Sequence, residues 1–147
     1  MPVQLQNRRK APRVASPWVR SLATALLDAL DEQGSELSVV LTDDLSIRAL
    51  NREHRNKDKA TDVLSFSQIE GPVFPGEARV LGDVVISMET AARQAREIGH
   101  SLEDEVRRLL IHGALHLLGH DHVNGGPQAR KMKREEDRLE RALASVP

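Results

Sequence analysis

HGALHLLGHDH, residues 112–122, holds four of the six histidines in the chain, and the rest is read outward from it. His112 and His116 are four apart, so on a helix they stand one turn above the other on the same face. Gly119 falls where such a helix would stop, because glycine enters the left-handed region without a Cβ clash. Past that reversal His122 can swing back toward the pair. Three neutral imidazoles converging from a helix and its following turn form a tripodal metal site whose fourth position is open. His120 is left between three roles: ligand, group behind the ligands, or solvent-exposed side chain. Asp121 is placed to accept the second ring N–H of a ligand histidine.

The offsets repeat the pattern of the metzincin peptidases, H-E-x-x-H-x-x-G-x-x-H, with one break. Where those enzymes carry the glutamate that serves as general base, this chain has Gly113. The metal cage is expected and the peptidase base is not. There are no cysteines, hence no thiolate ligands and no disulfides, and imidazole must hold any transition metal, with zinc the expected ion.

The helix that delivers the pair starts at Ser101, with Asp104 completing an approximate capping box. Leu102, Val106, Leu109 and Leu110 form its buried face, and Glu103 and Arg107 are spaced to pair. Upstream, Ser87 begins a helix that Gly99 ends, and Leu81–Ser87 is so continuously apolar that it reads as a central strand. QIEGPVFPGEAR is a loop, and Asp62–Phe66 a short strand. A helix capped by Asp43 or Asp44 holds Leu45, Ala49 and Leu50 as its apolar positions and runs out in NREHRNKDK. Glu36–Thr42 is a strand. Ser16-Pro17 starts a helix, serine at the N-cap and proline at the first helical position, and Val3–Gln6 is an edge-strand candidate. Downstream of Gly125-Gly126-Pro127, a charged helix keeps Met132, Leu139 and Leu143 as a narrow apolar stripe. The order strand, helix, strand, helix, strand, strand, then three helices gives one α+β domain over residues 1–147. Its expected form is a small mixed four-stranded sheet packed against several helices.

The formal net charge of −1 supplies no global attraction for nucleic acid. Local basic groups stand at Arg8, Arg9, Lys10 and Arg13, at Arg52, Arg55, Lys57 and Lys59, and at Arg130, Lys131, Lys133 and Arg134. Aromatic side chains are few, so recognition of RNA would rest on its backbone rather than on stacking. Neither a membrane span nor a secretory leader is readable, and a cytoplasmic setting without a membrane partner is expected.

Three ordered blocks resemble the YbeY family of bacterial endoribonucleases, which act in ribosomal RNA maturation. They are LNREHRNKDKATDVLSF from Leu50 to Phe66, LGDVVIS from Leu81 to Ser87, and HGALHLLGHDH, which includes Gly113. The resemblance implies a metal-dependent hydrolase of single-stranded RNA, with zinc on His112, His116 and His122 and with Arg55 as the arginine that activity needs. It also implies ribosomal RNA, and the ribosome or its proteins, as partners. Two positions depart from the family pattern: Ser67 stands where proline is common, and His54 where an aromatic residue is frequent. The chemistry agrees with the residues. A tripodal metal brings the pKa of bound water toward neutrality without a carboxylate base, and a guanidinium matches a phosphate bidentately as charge builds. Asp83, on an apolar strand, is a candidate to orient a ligand or a turn, with no role assigned. The competing functions are a metzincin-like metallopeptidase and a non-catalytic, metal-stabilised ribosome-assembly factor.

Overall fold

In the computed structural model, which describes residues 3–8, 12–69, 75–120 and 125–147, alternation of side chains along the strands decides what lies on each side of the sheet. The elements are β1 (Val3–Asn7), α1 (Ser16–Ala29), β2 (Glu36–Thr42), α2 (Asp44–Arg55), β3 (Val63–Ser67), β4 (Val80–Ser87), α3 (Met88–Ile98), α4 (Leu102–Leu117) and α5 (Gly126–Leu143). The strand order is β1-β2-β4-β3, with β1, β2 and β4 parallel and β3 antiparallel to β4. This is the mixed four-stranded α+β sheet that the sequence predicts, with β4 inside it and β1 and β3 at its edges.

Val3 from β1, Leu37, Val39 and Leu41 from β2, and Val84 and Ile86 from β4 point to one face. There they pack with Leu22 and Leu26 of α1, Ala91 of α3, Leu110 and Ala114 of α4, and Met132 and Leu139 of α5. The opposite face carries a smaller cluster, Ile47 of α2 with Leu64 and Val85. Beyond α2 that face is polar and open, and Gln4, Gln6, Ser38, Gln68 and Asp83 line it.

Several local expectations are corrected. Leu45 is 78% exposed, and the buried residues of α2 are Ile47 and Asn51. Asp43 caps α2 through the Ser46 N–H at 2.7 Å. Asp44 instead accepts hydrogen bonds from Ser87, Thr90 and Arg93, tying α2 to α3. Burial works to raise the Asp44 pKa, but those three donors outweigh it and the net shift is downward. Helix α1 is capped by no side chain; the Ser16 hydroxyl accepts from Asn7 Nδ2 at 3.1 Å. Arg107 pairs with Asp104 and with Glu140 of α5, not with Glu103.

Candidate active site

Helix α4 starts as predicted, with the Ser101 hydroxyl accepting from the Asp104 N–H at 3.0 Å. Its last turns carry the two histidines. His112 Nε2 and His116 Nε2 face each other at 3.0 Å, with the rings 75° apart. His112 turns its other nitrogen, Nδ1, to Glu136 Oε2 of α5 at 3.4 Å. That leaves both Nε2 atoms aimed into the same space, while a carboxylate orients one ring from behind. The helix ends at Gly119, whose φ is +91°; its N–H donates to the His116 carbonyl and the His120 N–H to the Leu115 carbonyl. The reversal expected at Gly119 is therefore present. His122 and Asp121 lie outside the described residues.

The two imidazoles open into a cleft of about 460 Å³ lined also by Arg55, Thr61, Asp62, Val63, Leu64, Ser65 and Ser67. Arg55 reaches it from the C-terminal end of α2 and makes no hydrogen bond or ion pair among the described residues. Its neighbours Arg48 and Arg52 are both drawn to Asp58. Asp62 is committed to the wall: its carboxylate accepts from the Val63 N–H at 2.8 Å and from Gln94 at 3.3 Å.

Edge strand β3 and helix α4 are joined directly. The Ser65 hydroxyl donates to the Gly113 carbonyl at 2.8 Å and the Ser67 hydroxyl to the Leu117 carbonyl at 3.2 Å. Gly113 makes this approach possible. A Cβ there would stand 2.7 Å from Val84 Cγ1 and 3.1 Å from Ser65 Oγ. The residue that replaces the peptidase glutamate thus faces the sheet, and a glutamate in its place would enter the core.

Other expectations separate from this cleft. Asp83 lies on the opposite face, beside Gln68 at 3.0 Å, too remote from the histidines to orient them. His54 sits edge-on to Phe66, ring centroids 4.9 Å apart, on the α2 side of the sheet. His120 lines a different pocket, with Gln128 and Lys131. Glu136 was missed by sequence reasoning, though it left a signal. It stands four residues after Met132 and three before Leu139, so a carboxylate interrupts the buried stripe of α5. Among the described residues no group of three possible metal ligands converges, and no helix is long and apolar enough to cross a membrane.

A histidine pair on a helix, backed by a carboxylate and sharing an open cleft with a guanidinium, has the character of a hydrolase site for an anionic substrate. The comparisons with known proteins agree. The family model described as endoribonuclease YbeY matches residues 4–144. Proteins named endoribonuclease YbeY are 50% identical over 135 residues in Aquifex aeolicus, covering 92% of this chain and 85% of that protein. The one from Geobacter metallireducens is 44% identical over 137 residues, covering 92% and 91%. The solution structure of TM1509 from Thermotoga maritima shares the fold, with a TM-score of 0.63 at 24% identity over 99% of this chain and 93% of that one. The chain belongs to the endoribonuclease YbeY family.

Proposed function

We propose that this chain, as one domain over residues 1–147, is a metal-dependent endoribonuclease that cleaves single-stranded RNA. Its substrate is ribosomal RNA during maturation, in the cytoplasm and in contact with the ribosome. His112, His116 and His122 hold one divalent ion, zinc, and Arg55 engages the phosphate. The observation that carries this reading is the meeting of the Nε2 pair and the Arg55 guanidinium in one cleft.

The residues present fit the metal. Two nitrogens each about 2.0–2.1 Å from a tetrahedral ion lie about 3.3 Å apart; the observed 3.0 Å requires a few tenths of an ångström of ring movement. When bound, the ion supplies Lewis-acid activation of water and of a phosphoryl oxygen. The chain does the rest. Glu136 holds the His112 ring in place, as carboxylates do for ligand imidazoles. Arg55 offers two parallel N–H donors to the non-bridging oxygens where negative charge grows in the transition state. The peptidase alternative is opposed by Gly113, since no carboxylate can be accommodated between α4 and Val84. The assembly-factor alternative calls for a closed metal site, and the open cleft beside the pair weighs against it.

The test compares metal-loaded, chelated and His112→Ala protein on single-stranded RNA, double-stranded RNA and casein, with metal content measured for each His→Ala variant. Cleavage of single-stranded RNA by the loaded protein alone is expected, with metal lost in His112→Ala, His116→Ala and His122→Ala. Full metal in His122→Ala would remove it from the tripod and point to His120. Casein cleavage would overturn the nuclease reading.

A further inference from the structure

We infer that the outer edge of β3 is the track on which the RNA strand lies, held by main-chain groups and by its 2′-hydroxyls rather than by its bases. The inference rests on the nuclease reading above and specifies how that cleft takes its substrate.

The register determines which way each β3 group points. Residues directly opposed in an antiparallel pair alternate between exchanging hydrogen bonds and not. The Ser87 N–H donates to the Asp62 carbonyl and the Gln68 N–H to the Leu81 carbonyl, each at 2.9 Å. Both pairs continue the register that runs from Val63↔Ile86 to Ser67↔Gly82. Residues 62, 64, 66 and 68 therefore bond to β4. The Phe66 carbonyl agrees, lying 2.1 Å from where a Cβ on Gly82 would be. Residues 63, 65 and 67 turn their N–H and carbonyl groups outward. The Val63 N–H is already taken by Asp62 Oδ1. Among the described residues, what remains without a partner is the Val63 carbonyl and both groups of Ser65 and Ser67, and these residues line the cleft that holds His112, His116 and Arg55.

The side chains on this edge are withdrawn from recognition. The Ser65 and Ser67 hydroxyls are spent on α4 carbonyls. A bound strand would meet alternating backbone donors and acceptors, with like groups about 7 Å apart, close to the repeat of an extended nucleotide. Amide N–H groups suit phosphate oxygens. The carbonyls cannot, since a phosphodiester has no proton to give, whereas a ribose 2′-OH is a donor and is absent from DNA. The nearby Arg55 guanidinium favours a polyanion over a peptide strand, the other occupant an open edge invites.

The experiment uses metal-loaded protein and a single-stranded RNA oligonucleotide, with 2′-deoxy substitution at one nucleotide at a time. Deoxy substitution at one or two positions away from the cut phosphodiester should raise KM about five- to tenfold, the value of one or two hydrogen bonds. On the protein side, Ser65→Ala removes the hydroxyl tie to α4, and Ser65→Pro removes in addition the outward N–H without touching the β4 ladder. KM should rise further in Ser65→Pro than in Ser65→Ala, equally for oligonucleotides of different base sequence. Cleavage with a flat deoxy series and equal KM in the two variants would overturn this inference alone. Absence of both RNA cleavage and RNA binding would overturn it together with the nuclease reading. Competition by an extended peptide with no dependence on the 2′-OH would reassign the edge to a protein strand.

Discussion

The two halves of α4 treat charge in opposite ways. In the N-terminal half the charged groups close on one another and on neighbouring elements. Glu105, fully buried, accepts from Arg108 Nε at 2.9 Å and from His100 Nε2 at 2.8 Å, and Arg107 bridges Asp104 and Glu140. In the C-terminal half the helix backbone is tied to β3 by serine hydroxyls, while the imidazole pair opens to a cleft where Arg55 has no partner among the described residues. The same residue types thus brace the helix at one end and present chemistry at the other. We propose that the arginines paired within the fold are scaffold, and that Arg55, with no partner among the described residues and facing the cleft, belongs to the site.

The largest expected effect tests that distinction at its functional end. Arg55→Ala should lose about 2–4 kcal/mol of transition-state stabilisation for RNA cleavage, as removal of one well-placed donor does elsewhere. Arg55→Lys should recover only part, because an ammonium lacks the bidentate fork. Single-turnover cleavage, metal content and thermal midpoint on the same preparations check this. Wild-type rates in Arg55→Ala would make it a surface residue, and lost metal would make it structural.

At the bracing end, Glu105→Gln should cost about 2–3 kcal/mol of stability by stripping charge from the hydrogen bonds it accepts from Arg108 and His100 and should leave metal content unchanged. Burial works to raise the Glu105 pKa, but the bonds from Arg108 and His100 outweigh it and the net shift is downward from 4.5. A carboxylate with a depressed folded pKa adds stability that is complete above the unfolded value. That stability is lost as pH falls through the folded one. The gap in thermal midpoint between wild type and Glu105→Gln should therefore be full at neutral pH and shrink below about pH 4.5. A gap that widens in acid would contradict the assignment.

Gly113→Ala probes the seam between the halves and has the smallest expected effect. Relief of the helix penalty of glycine returns about 1 kcal/mol, but a Cβ 2.7 Å from Val84 Cγ1 costs about 1–3 kcal/mol in overpacking. A net loss of about 1 kcal/mol, read by denaturant unfolding, is expected. A more stable variant would mean that α4 can lift from the sheet without loss.

The element order was legible because patterning and punctuation agreed along most of the chain. Glu36–Thr42 alternates, Ser87 and Ser101 cap, and Met132, Leu139 and Leu143 repeat at helical spacing. Errors came where a local rule had two solutions. Leu45 lies in the first turn of α2, where helical spacing alone cannot say which stripe faces the sheet; Ile47 and Asn51 took the buried side. Arg107 had acidic candidates at two spacings and on a second helix. The histidine pair was readable from four residues of spacing, and the resemblance singled out Arg55. Glu136 was not, since its meeting with His112 spans two helices. Nor was the distance of Asp83 from the cleft, because which face a strand residue takes depends on pairing partners.

The paired serines on β3 also set a length scale. Four residues of helix rise about 6.0 Å and two residues of strand about 6.8 Å, so Ser65 and Ser67 meet Gly113 and Leu117 one helical turn apart with little mismatch. The two elements run the same way along this window and stay commensurate for about one turn before their repeats drift. His116 falls inside that window and His112 at its border. The cleft is narrowest in tolerance where helix and strand keep step. Inserting or deleting one residue between Ser65 and Ser67 would turn one hydroxyl to the far face and unfasten the wall from the helix that carries the imidazoles.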